Sequence, residues 1–184
     1  MQWSKLRKQV LSRFAESVAK RVDLHSTRYR WHHEADGRIW ITIDGEEMAT
    51  FCANRFRQRW YRLVDGMMEH DPHTAAESRY EDPSDAALDL YAQMIDRGER
   101  DRRSARAELE EYLDMPFEEA LASPSPVHAV LVVLDRRLGK RRLSRYEIPE
   151  AFAEMVEPFY RLRLEAEGVR PTRDRSPATQ LAAG

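Results

Sequence analysis

Leu6, Val10, Phe14 and Val18 recur at every fourth position, with Leu11 beside them. That apolar stripe predicts an amphipathic helix over 4–21, with Ser4 as its N-cap and Trp3 as the residue that staples its entry. The apolar period then shortens to two, and 22–34 and 38–43 read as strands. Ala35-Asp36-Gly37 between them reads as a three-residue hairpin loop ending in a left-handed glycine. Such a loop pairs Glu34 with Arg38. It puts Tyr29, Trp31, Ile39, Ile41 and Ile43 on one face and Ser26, Arg28, Arg30, His32, Arg38, Trp40 and Thr42 on the other. Asp44-Gly45 predicts a tight turn into a short third strand over 46–51. Met48, Cys52, Phe56, Trp60 and Val64 also fall at helical spacing, so helix competes there. A strand followed by a helix over 55–69 is the preferred reading.

Residues 70–83 contain Pro72 and Pro83 among many charges and read as a linker. Helical spacing resumes at Ser84, with Leu88, Tyr91, Met94 and Ile95 inward and Gly98 as the stop. Asp101 or Ser104 opens the next helix, which buries Leu109, Tyr112 and Leu113 and breaks at Pro116. Phe117–Leu121 make a short helical turn. Ser125-Pro126 is an N-cap followed by proline at the first helical position. The helix it starts points Val127, Val130, Leu131, Leu134 and Leu138 inward and takes Gly139 as a left-handed C-terminal glycine. A last helical stretch runs over 149–167, kinked or divided by Pro158 and ended by Gly168. The expected fold class is α+β. One domain spans 1–168: a helix and small antiparallel sheet in 1–69, the linker, and a helical half in 84–168. A mobile tail is expected over 169–184.

Length and composition are consistent with this outline. The chain has 184 residues, 42% hydrophobic and 34% charged, the balance of one globular domain with a charged surface. Cys52 is the only cysteine, which excludes an internal disulfide and a multi-cysteine zinc site. No apolar run approaches a membrane span, and the first residues lack the apolar core of a signal peptide, so a cytoplasmic location is expected. Charge changes the picture more. The net charge of −2 conceals +6 over 1–62, −11 over 63–126 and +3 over 127–184. Two basic segments flank an acidic one, which suits either a polyanionic ligand or attraction between the segments.

Two groups of motifs resemble a known family. Trp3-Ser4-Lys5-Leu6, His25-Ser26-Thr27-Arg28-Tyr29-Arg30 and Trp40-Ile41-Thr42-Ile43-Asp44-Gly45 resemble the WSKLK, HSTRYR and GRGWITIDG segments of a family of uncharacterised bacterial proteins. Asp135-Arg136-Arg137-Leu138-Gly139-Lys140-Arg141-Arg142-Leu143 and Leu162-Arg163-Leu164-Glu165-Ala166-Glu167-Gly168 are similar to its second half. The chain departs from the pattern at Ile39 and through 65–103. The resemblance implies one shared architecture over most of 1–168. It carries no activity, substrate or catalytic residue with it.

The polar hairpin face is the first candidate site. Arg28, Arg30, His32 and Arg38 around Trp40 combine fork-shaped phosphate donors with a stacking surface, as nucleic-acid and nucleotide sites do. Lys140, Arg141 and Arg142 form the second, beyond the cations that a helix C-terminus favours for structural reasons. In both places the arginines can instead pair with the acidic middle segment. His70 and His73 lack further convergent ligands, and His32 and His33 point to opposite sides of a strand, so no metal is expected. No cofactor motif is present: no GxSxG elbow, P-loop or Rossmann fingerprint. Cys52 reads as a small core residue. The leading reading is a non-enzymatic binding or regulatory module for a nucleic acid, a nucleotide or a partner protein. The alternative is a small enzyme acting on a phosphorylated or nucleotide substrate, with His25 or His32 as acid/base and arginines holding phosphate.

Overall fold

In the computed structural model, described for residues 1–28, 37–52, 55–56, 58–63, 85–96 and 98–172, the first helix is shorter than its apolar stripe. Helix α1 covers Trp3–Leu11. The backbone of 13–15 then leaves the helical ladder to pair with 134–136. Ala15 N–H donates to the Leu134 carbonyl at 2.9 Å, and Arg136 N–H donates to the Arg13 carbonyl at 2.9 Å. Phe14 and Val18 stay buried at 3% and 0% exposure, so the stripe was read correctly while the helix over 12–21 was not. A contact across more than a hundred residues overrides local periodicity there.

Three strands follow, β1 (Val22–Arg28), β2 (Gly37–Ile43) and β3 (Glu46–Cys52), in the antiparallel order β1-β2-β3. The Asp44-Gly45 turn is as expected, with φ of 51° and 88°. The register of the first hairpin is not. Val22 faces Ile43, Leu24 faces Ile41, His25 faces Trp40, and Arg28 faces Gly37. Thr27, rather than Glu34, is opposite Arg38. This offset reverses the faces of β1. Val22 and Leu24 join Ile39, Ile41, Ala49 and Phe51 on the core side, whereas the expected register would have turned them outward. Burying Val22 and Leu24 decides the register. Gly37 has φ 145° within β2 rather than the expected left-handed loop conformation. The ladder from β2 to β3 shifts between Ile41 and Thr42, where Met48 is the extra residue of a bulge. Tyr29, Arg30, Trp31, His32 and Glu34 lie outside the described residues, as does the 70–83 segment.

The helical half follows the sequence closely. It comprises α2 (Asp85–Asp96), α3 (Arg102–Asp114), α4 (Phe117–Ala122), α5 (Pro126–Leu134), α6 (Lys140–Leu143) and, after a 3-10 turn at Glu150–Phe152, α7 (Ala153–Glu167). Asp101 caps α3 by accepting from Ser104 N–H at 2.7 Å. Ser125 caps α5 by accepting from His128 N–H at 3.1 Å. All nine residues of α5 are buried, making it the central strut between α3, α4 and α7. The core face of the sheet packs on α1, α3 and α7. Gly98 and Gly168 take the positive φ expected of terminating glycines.

Three expectations here are corrected. Helix α5 stops at Leu134, because Asp135 turns away to bridge Phe14. Gly139 therefore precedes α6 with φ −64°, and a Cβ on it would meet nothing within 4 Å, so the strained C-terminal glycine expected there does not exist. Tyr91 is 40% exposed rather than inward, its ring edge-on to Phe56 and Trp60. Of the kink or division expected at Pro158, division does not occur, since α7 runs through it. Beyond it, Thr172 N–H donates to the Ser144 carbonyl at 2.8 Å, so the chain is held past residue 169.

Candidate functional site

The core side of β1 becomes polar at its open end, where Ser26 and Arg28 follow Val22 and Leu24. The first turn of α3 meets that end. Arg102 stands there just after the Asp101 cap, and Arg106 lies one turn on along the same helix face. The start of α1 closes the third side with Met1, Gln2 and Trp3. Together these elements enclose a pocket of 430 Å³ lined by Ser26, Thr27, Arg28, Arg102 and Arg106. Gly37 makes the arrangement possible. A Cβ on it would sit 2.7 Å from Arg102 Cδ and 2.1 Å from the Thr27 carbonyl oxygen, so only glycine lets the Arg102 side chain pass over β2.

The charges around this pocket are poorly compensated. Arg102 is 5% exposed, yet among the described residues its one hydrogen bond is from Nε to Ser26 Oγ at 3.3 Å. Neither Arg102 nor Arg28 forms an ion pair among the described residues. Arg106 bonds Glu110 Oε1 at 3.2 Å and donates to the Met1 carbonyl. Burial lowers the pKa of Arg102, and the neighbouring Arg28 and Arg106 lower it further against an opposing pull from Asp101. A guanidinium stays protonated through such shifts, so the pocket keeps its positive charge. Buried charges are ordinarily paired, and a two-pronged donor with both Nη atoms unengaged is shaped for an oxyanion.

The family comparison adds one fact. Residues 2–164 match the model of the SF0329 protein family. The chain belongs to the SF0329 protein family. The match covers nearly the whole stretch over which the motifs suggested a family of uncharacterised proteins. No curated protein and no solved structure matches this SF0329 family member.

In this SF0329 family member the candidate residues named from the sequence do not share one face. Arg28 faces the pocket. Arg38 and Trp40 lie on the opposite, outer face of the sheet. There the Arg38 guanidinium sits 4.2 Å from the centre of the Trp40 ring, and His25 stacks on that ring at 5.1 Å. Arg38 also pairs with Glu47 at 2.9 Å. Trp40 is thus already stacked within the protein, which removes most of its surface for a base. Arg30 and His32 lie outside the described residues. Lys140 pairs with Glu167 at 3.6 Å and Arg142 with Glu118 at 2.6 Å, both pairs involving exposed side chains. Arg141, with Arg142 and Arg145, lines a groove of 610 Å³ floored by Leu121, Leu138 and Tyr146. Arg102 and Arg106 were missed by sequence reasoning. They sit in the acidic middle segment, and nothing in the linear pattern brings them beside Arg28.

Two hydroxyl–imidazole pairs exist among the described residues of this SF0329 family member. Thr42 Oγ1 is 3.2 Å from His25 Nε2 on the outer sheet face, away from the arginine pocket. Ser123 Oγ is 2.8 Å from His128 Nδ1, whose Nε2 meets the Glu108 carbonyl at 2.9 Å. His128 is 2% exposed, and Ser123 Oγ also accepts from Ser125 N–H at 3.2 Å. That pair is a fully satisfied turn leading into α5. No cluster of three or more metal-ligating side chains occurs among the described residues, and no helix among them is long and apolar enough to cross a membrane.

Buried charge elsewhere holds the fold. Asp135 accepts from Tyr112 Oη at 2.6 Å and from Arg137 Nη2 at 2.7 Å. Burial pushes its carboxyl up, but the hydrogen bonds from Arg137 and Tyr112 outweigh that and hold it below the usual range. The Tyr112 hydroxyl is pushed far up by burial and by its bond to Asp135. Arg163 is 3% exposed and donates to the carbonyls of Val133, Leu134, Asp135 and Leu138. It satisfies carbonyls at the end of α5, where a helix leaves them without partners of its own.

Proposed function

We propose that the chain is a non-enzymatic binding module whose ligand is a polyanion, a nucleic acid or a nucleotide, engaged at the pocket of Arg28, Arg102 and Arg106. One observation carries the reading: a buried arginine, Arg102, with a vacant fork and two further arginines beside it. An ion pair normally stabilises a buried cation, and here a ligand supplies the missing partner. His25, one of the alternative's two acid/base candidates, faces away from these arginines, and His32, the other, lies outside the described residues.

Fluorescence anisotropy with labelled single-stranded oligonucleotides tests the proposal. Binding should be measurable at about 50 mM salt and weaken steeply by about 200 mM as phosphate contacts release counterions. Arg28→Gln should weaken binding with little change in melting temperature, because Arg28 is exposed. Absence of binding to oligonucleotides and nucleotides at low salt, or unchanged binding by Arg28→Gln, would refute this assignment. A partner protein is the second reading. Arg141, which forms no ion pair among the described residues and stands beside the apolar floor of the larger groove, favours it. Retained capture of a protein by Arg28→Gln, lost in Arg141→Glu, would support that reading instead.

A further inference from the structure

We infer that the pocket of Arg28, Arg102 and Arg106 recognises a terminal phosphate monoester, and therefore a phosphorylated chain end or a small phosphorylated molecule rather than the internal backbone of a nucleic acid. The inference rests on the polyanion reading above and narrows its ligand.

Access is the first argument. Arg102, the least exposed of the three arginines at 5%, lines a pocket bounded by β1, α1 and α3. An internal phosphodiester has a sugar on either side, and both arms of the chain would have to enter with it. A terminal phosphate enters on one arm. Proteins that track an internal backbone use open grooves with cations at the surface. Arg102 is recessed, with 5% of its surface exposed.

Charge is the second. Arg28 and Arg102 have no carboxylate partner among the described residues, and Glu110 is shared by Arg106 and the Met1 ammonium. The groups around the pocket therefore carry an excess of positive charge. A phosphodiester offsets one unit of it. A monoester, at about −1.5 to −2 near neutral pH, offsets up to twice as much.

Donor geometry is the third. Arg102 spends only Nε, on Ser26 Oγ, so Nη1 and Nη2 are free to take two oxygens of one phosphate in parallel. Arg28, at the mouth, reaches a third oxygen, which a monoester has and a diester has lost to its second ester bond. Trp3, half-buried on the wall, offers an apolar surface for whatever carries the phosphate.

The test uses the full chain and four kinds of probe: inorganic phosphate, a nucleoside 5′-monophosphate, a hexose 6-phosphate, and one oligonucleotide prepared with a 5′-phosphate, with a 3′-phosphate or with hydroxyls at both ends. Calorimetry reads the small probes and anisotropy the oligonucleotides. The inference expects at least one phosphorylated end to bind about tenfold or more tighter than the all-hydroxyl oligonucleotide. Arg102→Lys, which keeps the charge and loses the fork, should erase that preference. Arg28→Gln, on the exposed mouth, should reduce it even if Arg102→Lys fails to fold. Comparable binding of nucleotide and hexose phosphate places recognition in the phosphate alone; tighter binding of the nucleotide or the oligonucleotide end adds the base. Equal affinity for phosphorylated and all-hydroxyl oligonucleotides overturns the inference and leaves the polyanion reading standing. Silence of every probe overturns both.

Discussion

Replacing Arg163 with methionine keeps an unbranched apolar stem and removes the guanidinium that closes α5. Arg163 Nη1 donates to the Leu134 carbonyl at 3.0 Å, Asp135 at 3.1 Å and Val133 at 3.3 Å, and Nη2 to Leu138 at 3.3 Å. Two of these carbonyls have a second donor: Leu134 accepts from Ala15 N–H at 2.9 Å and Asp135 from Leu138 N–H at 3.1 Å. Those of Val133 and Leu138 are left orphaned in a buried place. Each orphaned group costs about 1–3 kcal/mol, giving a loss of about 2–6 kcal/mol. Removing one partner of a buried charge pair costs about 3–5 kcal/mol, inside that range. For a chain of this size the melting temperature should fall by about 10 °C. Urea unfolding followed by circular dichroism at neutral pH measures the loss, with the denaturant slope unchanged if only stability moved. Glu167→Gln is the control. It keeps the carbonyl bonds and leaves an amide oxygen that can still accept from Arg163 Nε, so its cost should fall clearly below that of Arg163→Met. An equal loss in both variants, or a loss below about 1 kcal/mol in Arg163→Met, would refute the claim that the carbonyls are what Arg163 serves.

Gly37→Ala should destabilise by about 1–3 kcal/mol from backbone strain at φ 145°, with the 2.1 Å approach to the Thr27 carbonyl adding to it, and should displace Arg102. A thermal melt and a repeat of the phosphate-end assay check both effects. Acid should destabilise the protein through Asp135. Its folded pKa lies below the unfolded value of about 3.9, so its contribution is complete above that value and is lost as the pH falls through the folded pKa. Melting temperatures between pH 7 and pH 5 should be level and then drop, and Asp135→Asn should start lower and show a shallower acid limb.

Much of the fold was legible because its signals are local. The caps at Asp101 and Ser125, the Asp44-Gly45 turn, and the stops at Gly98 and Gly168 are each decided within a few residues by backbone chemistry. The apolar stripe of 6–18 correctly named Leu6, Val10, Phe14 and Val18 as core. The candidate site was less legible. Arg28 was named for the right chemistry but grouped with Arg38 and Trp40, which the true register puts on the other face.

What sequence determined alone, then, is most element types, the caps at Asp101 and Ser125 and the identity of most core residues, since these depend on propensity and period; the cap expected at Ser4 falls inside α1, whose N-cap position is Gln2. Tertiary structure decided three things. It ended α1 at Leu11 by pairing Phe14 with Asp135. It chose the register that buries Val22 and Leu24, because a strand with polar residues toward both ends is compatible locally with more than one pairing. And it brought Arg102 from the acidic middle segment to Arg28, past a glycine that leaves room for it. Each is a contact between residues far apart in the chain, and the free energy that selects it belongs to the packed pair rather than to either segment.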